Sequence, residues 1–181
     1  MLSGICVTLS SSKKATVKRG TVVFFCALLL TALTEWLYLS GREDATVQIQ
    51  WGVLHLIGFS MMVYPFIKEL PAKIRLVCGT AIVIVGYYLT ENVRFLSPYF
   101  FPLGLKPLHF NAMDYFPIMP HFGWFLIGSA LGTWLYSSGL TRLPKVNENG
   151  IVIRFFCFLG RQSLWIYMIH QPVLYLIIKN L

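Results

Sequence analysis

Five apolar stretches, each near the length needed to cross a bilayer, occupy most of this chain: Thr21–Leu39, Ile49–Ile67, Ile74–Thr90, Phe122–Tyr136 and Phe155–Ile178. A spanning helix needs about 20 mostly apolar residues to cover ~30 Å of hydrocarbon. The fourth stretch is short unless the loop before it dips into the membrane. The expected fold is therefore an all-α polytopic membrane protein, a single integral membrane domain over residues 1–181 with five complete transmembrane helices. A polar or ionisable group inside such a bundle is expensive, which makes each one a candidate for function.

Composition points the same way. The chain is 56% hydrophobic and 12% charged, about half the charge of a soluble domain, with a mean hydropathy of +0.67. The net charge of +8 does not indicate nucleic acid, because the basic residues cluster in short loops between spans. Cys6, Cys26, Cys78 and Cys157 lie in or beside apolar stretches without CxxC or His/Cys spacing, and read as small buried apolar residues. No metal site or disulfide framework is expected.

Loop charge sets the expected orientation. Lys13, Lys14, Lys18 and Arg19 place the loop before the first span in the cytoplasm. Lys68, Lys73 and Arg75 mark a second inner loop, and Arg142, Lys145 and Arg154 a third. The segment 91–121 and the C-terminus then lie outside. Residues 1–10, with apolar Met1–Leu9 ahead of the first charges, read as the last turns of a helix whose beginning is missing, and hence as a truncation of a longer protein. Leu140–Gly150 is the one clearly solvated linker. Gly128, Ala130 and Gly132 offer small residues for close helix packing on the fourth span.

The outer segment 91–121 is unusual. Pro98, Pro102, Pro107, Pro117 and Pro120 preclude a long helix, and its many aromatics preclude a solvated linker. It reads either as a re-entrant lid over a cavity or as an aromatic belt.

Several polar groups fall at membrane depth. His55 in WGVLHLIG is either an interhelical hydrogen bonder or a proton acceptor. His170 and Gln171 adjoin Pro172, which frees the carbonyl of Met168 and makes either a polar notch or a kinked packing site. Gly160 is expected to break the last helix and Ser163 to cap a new one, leaving Arg161 at a half-helix start suited to a phosphate, or simply snorkelling to the surface. Glu35, near the outer end of the first span, needs a partner. Glu91 and Arg94 are spaced to pair. Asp114 precedes the Pro-rich re-entry and could cap the approach to the fourth helix, and His121 lies toward the same outer side. There is no Ser-His-Asp order, HExxH, P-loop or GxGxxG, and no alternating strand pattern of an outer-membrane barrel.

WGVLHLIGFS (51–60), DYFPIMPHFGWFLIGSALG (114–132) and LGRQSLWIYMIHQPVLYLI (159–177) together resemble the heparan-alpha-glucosaminide N-acetyltransferase catalytic-domain-like family, its small bacterial members above all. SGICVTLSSSKKATVKRG (3–20) resembles the end of that family's second membrane helix and the following basic loop. The resemblance implies a bacterial inner-membrane acyltransferase that takes acetyl from cytoplasmic acetyl-CoA and delivers it to a sugar amine or hydroxyl on the extracytoplasmic side. It carries over His170, His55 and Asp114 as catalytic candidates and Arg161 and Gln171 as donor-binding candidates. Members open with a helix bearing an Arg-Gly pair and a His, after which this chain begins, so the resemblance also implies missing N-terminal helices. The partners implied are the lipid bilayer and a cell-surface or exported carbohydrate, with no nucleic acid; homo-oligomerisation is left open. The alternative reading is a transporter- or flippase-like bundle without chemistry, or an inactive fragment.

Overall fold

The computed structural model describes residues 1–10, 12–41, 48–92, 94–95, 98–107, 114–136 and 150–179. They fall into two compact units, Met1–Arg142 and Leu143–Leu181. The first holds α1 (Leu2–Thr8), α2 (Lys13–Leu39), α3 (Val53–Ile67), α4 (Ala72–Asn92), β1 (Arg94–Phe95), a 3-10 helix (Pro98–Leu103), β2 (Lys106–Pro107) and α5 (Ile118–Tyr136). The second holds α6 (Ile151–Lys179). The expected linker falls almost wholly outside the described residues.

Among the described residues, three helices are long and apolar enough to cross a membrane: α2, α4 and the Ile151–His170 portion of α6. The other two expected spans come out differently. Helix α3 is apolar but has 15 residues, because Ile49–Gly52 does not join the helix and Gly52 serves as its N-cap. Helix α5 has 19 residues and starts earlier than expected, with non-helical backbone at Met119 and a cis Met119–Pro120 bond. Among the described residues the all-α expectation holds apart from β1 and β2, a two-residue parallel pair in register Arg94↔Lys106 and Phe95↔Pro107.

Helices α2 and α3 cross closely at Gly20 and Gly58. A Cβ on Gly58 would sit 2.9 Å from the Gly20 carbonyl oxygen, and one on Gly20 would sit 2.9 Å from that of Gly58. Helices α4 and α5 meet in the same way at Gly79 and Gly123, where added Cβ atoms would lie 2.9 and 2.5 Å from the opposite carbonyl. Small residues at both crossings let backbones approach, the usual means of association where lipid removes the hydrophobic drive between helices. Gly128 and Gly132 do what their sequence position leads one to expect: they admit α1, whose Met1 and Ile5 carbonyls lie against them.

The protein-facing core is small. Val7, Tyr64 and Phe125 form its centre, with Met61, Ile67 and Phe122 around them. Much larger apolar side chains point outward: Phe25 and Leu29 on α2 are each 62% exposed, and Val77 on α4 is 68% exposed. A water-soluble fold does not leave so much contiguous apolar surface uncovered. Lipid as the solvent accounts for it, since helices satisfy their own backbone there. Cys6 and Cys78 are exposed and Cys26 half-buried, so these thiols do not fill the core as expected; all are free.

The two ends of the first unit differ. At the basic end Ser12 caps α2 by accepting from the Ala15 N–H at 3.3 Å. Lys13 pairs there with Glu69, and Lys68 Nζ donates to the Ser10 carbonyl at 3.1 Å. The Lys13 ammonium, by hydrogen bond and charge, holds the Glu69 carboxyl below the usual carboxylate range. At the opposite, aromatic end, Tyr115 bridges Trp51 in parallel, and the Phe116 N–H donates to the Trp51 carbonyl at 2.8 Å. Tyr115 Oη in turn donates to the Phe101 carbonyl at 2.6 Å. At this end the described residues 115–116 thus pack on the chain just before α3, and Tyr115 on Phe101.

Candidate functional site

Helix α3 begins at that end, and its first turn gathers the polar groups. Gly52 has no side chain to cap the helix, so the cap is imported. Asp114 Oδ2 accepts from the Val53 N–H at 3.2 Å, and the carboxylate presses so closely on Gly52 that a Cβ there would collide with it. An anion at a helix N-terminus also answers the helix dipole. Asp114 therefore caps α3, and not the approach to α5 as its sequence position led one to expect.

His55 stands at the third position of the same helix and is 2% exposed. Its Nδ1 lies 3.2 Å from the Gly52 N–H. A backbone N–H can only donate, so Nδ1 is the bare acceptor and Nε2 carries the proton. Nε2–H then donates to Thr31 Oγ1 at 3.4 Å, whose own proton goes to the Ile49 carbonyl at 2.7 Å. The histidine does what a Glu or Gln does in a capping box, reaching back to the N-cap N–H. Trp51 stacks on the imidazole, with centroids 5.3 Å apart at 26°, and Phe24 meets it edge-on at 5.6 Å. The Asp114 charge reaches the ring electrostatically. Trp51 Nε1 is buried without a hydrogen-bond partner. Nearby, Glu35 has the partner its depth requires: Gln48 Nε2 donates to it at 2.9 Å.

The remaining sequence candidates fall elsewhere. His170 and Arg161 lie on α6, in the second unit, and both are exposed. Helix α6 runs unbroken through Gly160 and Pro172, which corrects the expected break at Gly160: one glycine costs a helix only about 1 kcal/mol. Arg161 consequently sits mid-helix and not at a half-helix start. His170 Nδ1 donates to the Tyr167 carbonyl at 2.8 Å, one residue earlier in the chain than the expected Met168 carbonyl. The side chains of Gln171 and Arg94 lie outside the described residues, and Glu91 is exposed.

Arg75, expected as an inner-loop charge, is instead caged within the first unit. It is 3% exposed. Nε donates to the Leu70 carbonyl at 3.2 Å, Nη1 to Tyr64 Oη at 3.5 Å and to Ser129 Oγ at 3.2 Å, and Nη2 to Thr133 Oγ1 at 2.7 Å. Among the described residues no carboxylate pairs with it. The signal was present: Ser129 and Thr133, four apart on an apolar helix, put two hydroxyls on one face.

Two cavities lie along α1 and share Ser3. One, of 190 Å³, is at the basic end and is lined by Cys6, Ser10, Thr16, Arg19 and Met61. The other, of 250 Å³, extends between α3 and α5 toward Phe116 and His121. A guanidinium and two hydroxyls in one lining are groups that can bind an anion.

Comparison with curated proteins and with solved structures found no match. The family model described as "Heparan-alpha-glucosaminide N-acetyltransferase, catalytic" matches residues 1–172. At the level of that family, membership means acetyltransferase activity in a membrane-embedded helical protein, with acetyl-CoA as donor. With nearly its whole length matched and its helices built for lipid, the chain belongs to the heparan-alpha-glucosaminide N-acetyltransferase catalytic family.

Proposed function

We propose that this protein moves an acetyl group from cytoplasmic acetyl-CoA to a sugar amine or hydroxyl on the extracytoplasmic side. The observation that carries the reading is the joining of Asp114 and His55 at the buried start of α3, beside a strap of aromatic chain. The basic end faces the cytoplasm by the positive-inside rule, which puts Arg19 with the donor phosphates and Asp114 with the acceptor. A carboxylate orients a sugar ammonium by charge-assisted hydrogen bonding. The unpartnered Trp51 Nε1–H supplies a donor for a sugar oxygen. His55, with both ring nitrogens engaged, holds Gly52 and Thr31 in place at the helix start that Asp114 caps. In the other unit, on α6, His170 is proposed as a proton acceptor and Arg161 with Gln171 as donor ligands on the resemblance alone.

The chemistry is one acyl transfer. The acceptor's nitrogen or oxygen attacks the thioester carbonyl, the C–S bond breaks, and the acceptor's proton leaves with a base as the thiol departs. The test is radiolabelled acetyl-CoA with protein reconstituted in lipid vesicles and glucosamine as acceptor. Labelled acetyl-sugar is expected, with loss of about 100-fold or more in Asp114→Ala, the scale of a lost positioning group. Movement of sugar across the vesicle with no acetyl attached would replace this reading with a transporter.

A further inference from the structure

The 250 Å³ cavity between α3 and α5 is not explained by the capping network. His55 points the other way: at 100° per residue, it lies on the face of α3 roughly opposite to Val53, Leu56, Ile57 and Ser60, which line the cavity. The wall is largely apolar, with Met1 and Ser3 contributed by the start of the chain and His121 and Trp124 by α5; its polar side chains are Ser3, Ser60 and His121.

Ser60 is the anomaly. It is 1% exposed and its hydroxyl has no hydrogen-bond partner. A helical hydroxyl normally turns back to the carbonyl four residues earlier, as Thr21, Thr80 and Thr90 do here at 2.7–3.0 Å. Ser60 does not, and a buried unmade hydrogen bond costs about 1–3 kcal/mol. Ser60 lines the cavity. His121 lines the same space, half-buried, its ring 4.9 Å from that of Phe116. Val53, whose N–H is held by Asp114, lines the cavity too.

The size and lining select the occupant. The volume falls below the ~300–1,000 Å³ usual for drug-sized ligands. A hexosamine ring would bury more hydroxyls than this wall can pair. A short acyl group with one carbonyl oxygen leaves nothing unpaired. We propose that this cavity receives the acetyl end of the thioester donor, with Ser60 Oγ–H donating to the carbonyl oxygen and His121 taking the acceptor's proton; the inference rests on the acetyltransferase reading above. As the acceptor's lone pair forms the new bond to carbon, the C–S pair leaves on sulfur. The proton passes from the acceptor to the His121 imidazole and on to the thiolate, releasing CoA thiol. Trp124 and Leu56 line the pocket and restrict the acyl chain to a short one.

Two experiments on the reconstituted full chain test this. In the first, acetyl transfer to glucosamine is followed with acetyl-CoA and with butyryl-CoA. Ser60→Ala is expected to lower kcat about 100-fold, the loss typical of one oxyanion donor, while KM for acetyl-CoA stays unchanged. His121→Gln is expected to lower kcat by about 100-fold or more, the share of a general base. Ser60→Thr, which keeps the hydroxyl, should recover most of the rate, and Trp124→Ala should raise butyryl over acetyl transfer. In the second, Ser60→Cys in a background without the native cysteines is labelled with a methanethiosulfonate reagent. Acetyl-CoA at ten times its dissociation constant should slow labelling about tenfold. Active wild type with unchanged kcat in Ser60→Ala and His121→Gln overturns the catalytic roles, and absence of protection overturns the cavity assignment. Protection of the cysteine in the Ser60→Cys variant, together with a wild type that transfers nothing, overturns the acetyltransferase reading alone.

Discussion

His55 shows how far a residue's depth can be separated from its chemistry. An imidazole at the start of a membrane helix invites a proton-transfer role, yet both ring nitrogens are spent on holding Gly52 and Thr31. His55→Gln keeps an acceptor and a donor at that spot and is expected to leave acetyl transfer within about tenfold of wild type, a loss on the scale of imperfect positioning. His55→Leu orphans two buried partners and should lower stability by about 1–3 kcal/mol for each, read as a fall in melting temperature in detergent. A general base at this position would instead show the full loss already in the Gln variant. Arg75 is the converse: five donors held in a fork that a lysine cannot reproduce. Arg75→Lys should destabilise the first unit by about 1–3 kcal/mol through unmade hydrogen bonds, checked by the same melting measurement. Tyr115, in the strap, is pushed up to about 12 by burial. Its folded value lies above its unfolded one, so the phenol favours the fold below about pH 10, and that contribution is lost as pH rises toward 12. A spectrophotometric titration of the native protein should show a late-ionising tyrosine component, and Tyr115→Phe should diminish it.

At the scale of elements, the close crossings decide which helices pair. Gly79 faces Gly123 so closely that no side chain fits between α4 and α5. Gly123→Leu must push the two helices apart, which would draw Arg75 on α4 away from Ser129 and Thr133 on α5. We expect loss of the folded first unit in mild detergent, seen by size-exclusion chromatography, while Val77→Leu on the outward face of α4 leaves it intact. The strap is a second element whose effect is non-local: Asp114 supplies the cap that Gly52 lacks. Asp114→Ala should cost about 0.5–2 kcal/mol, the range for losing an N-cap, in addition to its effect on transfer.

At the scale of the whole molecule, the argument turns on solvent. Apolar faces that stand open on α2 and α4 are the surface of a protein dissolved in lipid. Carbonate washing should leave the protein in the membrane fraction. Single cysteines introduced at Lys14 and at Phe100, with the native four removed, should label with a membrane-impermeant maleimide from opposite sides of the bilayer. Labelling of both from one side overturns the orientation that places donor and acceptor at different ends.

Hydropathy and loop charge alone determined that the chain is a helical membrane protein, and the motifs at 51–60, 114–132 and 159–177 determined the family it belongs to. Both are properties of composition and short-range order, which one sequence displays in full. His55 and Asp114 were also legible as polar residues in apolar surroundings, but their meeting was not, because they are far apart in the chain and joined by a strap whose path depends on packing. Arg75 and Ser60 were missed for the same reason. Whether a cation at a helix start snorkels or is caged, and whether a serine bonds its own helix or lines a void, depends on which neighbouring helix lies against it. That choice is made by glycine crossings and shared cavities, through contacts that exist only once the helices are assembled.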